Sequence, residues 1–189
     1  MTWFVTIPRK KTKGETKNMK TKTLAVNGVI AALYIVVTVA IAPFGFTNVQ
    51  FRLSEMFNHL VVFNKKYIYG IVAGVFLANL FFSPMVAYDL IFGVGQSIIS
   101  LLITIIIGRY VKDIIKRMII NTIVFTFTMF IIAFELNLAF GLPFLFTWLT
   151  TAAGEFVVLA IGVPIIYFIN KRVNFASLIE ESNRTYSKE

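Results

Sequence analysis

Gln50–Phe63 reads QFRLSEMFNHLVVF. This stretch decides the fold. At about 14 residues it is short for a membrane span, which needs ~20 residues to cover a ~30 Å hydrocarbon core. It also carries Arg52, Glu55 and His59, the last being the single histidine of the chain. Whether it crosses sets the side on which every later segment emerges.

The surrounding sequence demands a membrane. The 189 residues are 58% hydrophobic, with 20 Phe and a mean hydropathy of +0.80. A soluble domain sits near 45–50% apolar residues, so lipid must cover much of this surface. The apolar segments in order are Leu24–Pro43, Gln50–Phe63, Tyr67–Ser83, Val86–Gly108, Met118–Phe140 and Phe144–Asn170. Helix is the expected conformation, because an open strand edge cannot be satisfied in lipid. Pro43, Pro84, Gly141 and Pro143 punctuate the joins.

Charge decides the short segment. With six crossings and a cytoplasmic N-terminus, seventeen of the eighteen Lys and Arg fall in cytoplasmic pieces. If Gln50–Phe63 did not cross, the four cations of Arg109–Arg117 would face outside, against the positive-inside rule. The expected fold is therefore an all-α bundle of six transmembrane helices with both termini cytoplasmic. Residues 1–23 read as a basic, disordered cytoplasmic tail, 24–170 as the six-helix domain and 171–189 as a second cytoplasmic tail. Met19, opening MKTKT, could serve as a start of its own, and the tail lacks the apolar stretch of a cleaved signal. The net charge of +9 reads as membrane topology rather than nucleic-acid binding.

Arg52 is the eighteenth cation, the one that topology does not explain. Four acids, Glu55, Asp89, Glu135 and Glu155, also fall inside apolar segments, all toward the outer half. Asn79, Asn137, Gln96 and Trp148 lie at comparable depth. A charge at the centre of a membrane helix costs at least ~2.5–3.5 kcal/mol on the lenient scale, so such groups face a bundle interior or a watery cavity. On an α-helix Arg52, Glu55 and His59 share one face. The arrangement predicts one polar pocket open to the outside, with negative charge in excess and a preference for ligands carrying cationic or donor groups. Most members have a blander reading: Arg52–Glu55 as an internal salt bridge, His59 as a packing residue, Asp89 and Glu135 as interface residues; Glu155, deeper, has less excuse.

Gly28 and Ala32 on the first segment form a small-residue pair four apart, a spacing that lets helices approach closely. Packing within the bundle and docking to another membrane protein both fit. The sequence has no Cys and no His/Cys cluster for a metal, and no cofactor is expected. It has no GxxxxGK[ST], GxSxG or HExxH motif, so a binder or carrier fits better than an enzyme.

The runs VQFRLSEMFNHLVVF, GIVAGVFLANLF, YDLIFGVGQSIISLLIT and FELNLAFGLPFLFTWLTTAAGEFVVLAIGVPIIY resemble the QueT family over Leu24–Lys171. That family is assigned to the substrate-binding S-components of energy-coupling factor transporters. The resemblance implies a multi-pass protein of the bacterial plasma membrane that captures a queuosine precursor, a deazaguanine such as the aminomethyl form, or queuine. It implies a transmembrane coupling protein and two cytoplasmic ATPases as partners. It places Gly28 and Ala32 toward the coupling protein, with Gly28 where alanine is usual. Arg52, Glu55, Asn79, Asp89 and Glu155 are the leading pocket candidates, followed by Glu135, Trp148 and His59. Competing readings are an S-component for another vitamin-like cargo, a stand-alone proton-coupled carrier using Glu55, Glu135 and Glu155 as a relay, and a membrane enzyme or assembly factor.

Overall fold

The computed structural model describes residues 13–41 and 51–179. All regular structure among them is helical. Helix α1 is Lys13–Ala40, α2 Ile68–Phe82, α3 Val86–Gly108, α4 Ile114–Thr128, α5 Phe130–Phe140, α6 Phe144–Val173 and α7 Phe175–Ile179. A 3₁₀ helix, Leu53–Val62, lies between α1 and α2. Five stretches are long and apolar enough to cross a membrane: Thr21–Ala40, Lys65–Phe82, Val86–Gly108, Ile114–Phe140 and Phe144–Val173. They match five of the six apolar segments. Part of the expected N-terminal tail, Lys13–Thr23, is helical and continuous with α1, whereas residues 1–12 and 180–189 lie outside the described residues.

The second segment corrects the expected winding. It is ten residues of 3₁₀ helix rather than α-helix. A 3₁₀ helix rises ~2.0 Å per residue, so ten residues reach ~20 Å where an α-helix would reach ~15 Å. Its location is internal. All but Leu53 and Phe57 are buried, so it runs through the middle of the bundle. Its two ends are fixed to opposite ends of α3. Arg52 bonds Asp89, near the start of α3. At the other end the Arg117 guanidinium donates to Val62 O (3.0 Å) and also to Gly108 O, the last residue of α3.

Helix α1 packs on α2 through Gly70 and Gly74. A Cβ on Gly70 would lie 2.7 Å from Asn27 O, and one on Gly74 would lie 2.7 Å from Tyr34 Cβ. Asn27 Oδ1 also accepts from the Gly70 N–H at 2.7 Å, satisfying a donor that the first turn of α2 leaves free. Gly28 and Ala32 point away from this contact and are exposed; nothing lies within 4 Å of a Cβ placed on Gly28. The contact between α1 and α2 is therefore carried by Gly70 and Gly74 and not by this pair.

Two breaks shape the remaining helices. The span Ile114–Phe140 is divided at Met129 into α4 and α5. Within α3, residues Asp89–Gly93 form a π turn. Such turns insert an extra residue into the ladder and recur at functional sites. Gly141 ends α5 at φ 68, a left-handed conformation that glycine adopts without a Cβ penalty.

Gly74→Val is expected to destabilise the protein by about 1–3 kcal/mol, because its side chain must displace the Tyr34 Cβ of α1. Gly28→Val, on open surface, is expected to leave stability near wild type. Thermal unfolding of the two purified variants compares them directly.

Candidate functional site

The 3₁₀ winding organises the centre. Residues three apart eclipse in this helix, so Arg52, Glu55 and Asn58 stack in one column. The Glu55 N–H donates to Arg52 O at 2.8 Å, and Asn58 Nδ2 donates to Glu55 Oε2. His59, expected on the same face, is turned away. Its Nε2 lies 3.0 Å from Leu159 O and its Nδ1 lies 3.2 Å from Asn121 Nδ2. Asn121 in turn accepts from the Thr104 hydroxyl at 3.0 Å. With Nε2–H donating and Nδ1 accepting, both ring nitrogens are satisfied by packing partners. The α-helical face of Arg52, Glu55 and His59 is thus corrected to a column of Arg52, Glu55 and Asn58.

Arg52 holds the upper part of the site. Its Nη2 lies 2.9 Å from Asp89 Oδ1, with the side chains 9% and 2% exposed. The other Asp89 oxygen accepts from the Ser83 hydroxyl, while Asn79 Nδ2 donates to the Asp89 carbonyl at 3.2 Å. Asn79 therefore positions the π turn. Gly93, at the end of that turn, makes room for the group: its Cβ would lie 3.0 Å from Asn79 Nδ2 and 3.4 Å from Asp89 Oδ1.

Glu55 is held from α1. Tyr34 OH donates to Glu55 Oε1 at 2.6 Å, and beside it the Thr38 hydroxyl bonds that of Ser54 at 2.7 Å. Both oxygens of Glu55 and both of Asp89 are thereby satisfied. Glu135 on α5 and Glu155 on α6 are not. They are 0% and 2% exposed. Neither oxygen of Glu135, nor Oε1 of Glu155, has a hydrogen-bond partner among the described residues. Glu135 lies within electrostatic reach of Asp89 and Arg52, and Glu155 within reach of Glu55 and Arg52. Arg52 is the cation that both acids share.

The structure gathers Arg52, Glu55, Asn79, Asp89, Glu135 and Glu155 into one buried neighbourhood. It leaves His59 in the polar seam toward Asn121. Trp148 is also elsewhere: its indole N–H donates to Phe127 O at 3.2 Å, and its ring meets Phe127, Phe130 and Phe144. Gln96 joins Thr128 (3.0 Å) and Ser97 rather than the carboxylates, and Asn137 closes the end of α5 by donating to Leu142 O. Tyr34, Asn58 and Ser83 were missed by sequence reasoning. Each is an ordinary hydroxyl or amide in an apolar run, and only tertiary contact gives it a carboxylate partner.

Chemically, the site is an acid-rich, lipid-enclosed cluster with one cation and donor-hungry oxygens left over. It lies in a protein with five helices long and apolar enough to cross a membrane. The family model described as QueT transporter matches residues 24–171, and the chain belongs to that family. It is 33% identical over 169 residues to a Lactococcus lactis subsp. cremoris (strain MG1363) protein named "Queuosine precursor transporter QueT", covering 85% of this chain and 99% of that one. No solved structure matches.

Breaking a buried ion pair leaves an uncompensated charge and costs ~3–5 kcal/mol, while removing both partners costs less. Arg52→Ala is therefore expected to destabilise the protein more than Arg52→Ala with Asp89→Ala. A thermal-unfolding double-mutant cycle reads the difference.

Proposed function

We propose that this chain is the substrate-binding S-component of an energy-coupling factor importer and that it captures a queuosine precursor from outside. The observation that carries the reading is the pair of buried carboxylates, Glu135 and Glu155, with oxygens that no described residue satisfies. An unsatisfied buried polar group costs about 1–3 kcal/mol. A deazaguanine offers the complement: ring N–H groups and an exocyclic amine as donors, and a carbonyl that a guanidinium can address. An added aminomethyl cation would suit a cluster with four carboxylates and one arginine. Family membership and the name of the Lactococcus relative support the same cargo.

The proposal includes six crossings with both termini cytoplasmic. Two facts support it. The 3₁₀ helix is anchored at Asp89 and Gly108, toward the two ends of α3. Placing Asn64–Lys66 and Arg109–Arg117 on one side also gathers the cations there, as the positive-inside rule prefers. Energy would come from a transmembrane coupling protein and two cytoplasmic ATPases. Gly28 and Ala32 would meet the coupling protein, a role supported by their outward position on α1.

Binding of the purified chain to a panel of deazaguanines tests the site. Arg52→Ala and Glu155→Gln are each expected to weaken binding by about 1–3 kcal/mol, roughly 5- to 150-fold. Unchanged affinity in both folded variants contradicts the assignment. Glu135→Gln is expected to lower affinity for an aminomethyl deazaguanine more than for its nitrile analogue; equal losses would remove the cation-holding role. In a cellular uptake assay, Gly28→Leu and Ala32→Leu are expected to abolish uptake while binding persists. Wild-type uptake by both refutes the docking face.

A further inference from the structure

A concave site lies at the opposite end of the 3₁₀ helix from Arg52. It is a cavity of about 330 Å³ lined by Lys65, Lys66, Arg109, Arg117, Thr104 and the Val61–Asn64 backbone region. Its size falls at the lower end of the range for small-ligand sites, ~300–1,000 Å³.

Its chemistry favours an anion. Among the described residues the sole ion pair is Arg52–Asp89, so Lys65, Lys66 and Arg109 have no acidic partner there. Asp113, the acid nearest Arg109 in sequence, caps α4 by accepting from the Lys116 N–H at 2.8 Å and forms no ion pair among the described residues. The wall is also built to suit negative charge. Backbone carbonyls at the lining residues Gly108 and Val62 would repel an anion, but both accept from the Arg117 guanidinium. Arg117 thus cancels their repulsion and holds a fixed positive surface.

The position points to a membrane headgroup. Tyr69 and Tyr110, 70% and 85% exposed, are close in sequence to the lining residues at this end. Lys171 lies 4.9 Å from the Tyr167 ring on the last turns of α6. Tyrosines with lysines mark the depth at which lipid headgroups lie. Basic pockets between membrane helices at this depth suit phosphorylated headgroups.

We propose that this cavity is a phosphate-binding site in which Lys65, Lys66 and Arg109 hold the headgroup phosphate of an anionic phospholipid. The site is separate from the carboxylate cluster and does not depend on the cargo assigned there. A soluble phosphate shares the same chemistry, so the experiment separates the two sources. The full chain is purified, and retention of phosphatidylglycerol against phosphatidylcholine is measured by native mass spectrometry. Thermal stabilisation by inorganic phosphate is measured against chloride at matched ionic strength.

Preferential retention of phosphatidylglycerol is expected, with Lys65→Ala/Lys66→Ala lowering it about tenfold. Arg109→Gln, a milder change, is expected to act in the same direction. Lys112→Ala/Lys116→Ala removes equal charge from residues that do not line the cavity, and is expected to leave retention near wild type. Stabilisation by inorganic phosphate without lipid preference would keep the phosphate site and overturn its lipid source. No response to either probe, or equal losses in the two double variants, would overturn the site itself.

Discussion

The constraint on which the structure depends is the buried Arg52–Asp89 ion pair. A lone charge at this depth is costly, and its partner must be held as firmly as the arginine itself. The chain meets this with a set of contacts around Asp89. Ser83 binds the second oxygen of Asp89, Asn79 holds its carbonyl, and Gly93 leaves space that a Cβ would take. The π turn at Asp89–Gly93 is the local backbone form that accompanies this packing. From Arg52 the 3₁₀ helix descends through the bundle, so the pair fixes both the start of α3 and the entry of the central helix.

Magnitudes then separate the four carboxylates. Glu55 and Asp89 have both oxygens bonded, which makes them structural supports. Glu135 and Glu155 carry a penalty of about 1–3 kcal/mol for each unsatisfied group. Their position within reach of Arg52 is what a ligand with several donors would relieve. Glu55 and Asp89 are engaged on both oxygens, whereas Glu135 and Glu155 are buried with oxygens that no described residue bonds. Recognition that depends on oriented polar groups rejects analogues lacking one of them far better than apolar contact does.

Much of this was legible in the sequence. Five of six apolar segments became long helices because length and hydropathy alone dictate them in lipid. The excess of acids around Arg52 was legible because a charge inside an apolar run is too costly to leave facing lipid, so it must turn inward and meet the others. The exchange of His59 for Asn58 was not legible: over ten residues the apolar pattern does not by itself choose between a 3.6- and a 3.0-residue repeat. Trp148 sits at a suitable depth in sequence, but depth does not give azimuth, and its indole faces Phe127. Gly70 and Gly74, rather than Gly28 and Ala32, carry the contact between α1 and α2; spacing is the same in both pairs, and only the partner helix distinguishes them.

We propose that Glu135 and Glu155 face a polar guest beside Arg52. A structure of the purified chain bound to an aminomethyl deazaguanine tests it most directly. The account predicts the ring beside Arg52, with carboxylate oxygens of Glu135 and Glu155 at hydrogen-bond distance from its donors. A guest bound elsewhere, with both carboxylates still without partners, would contradict it.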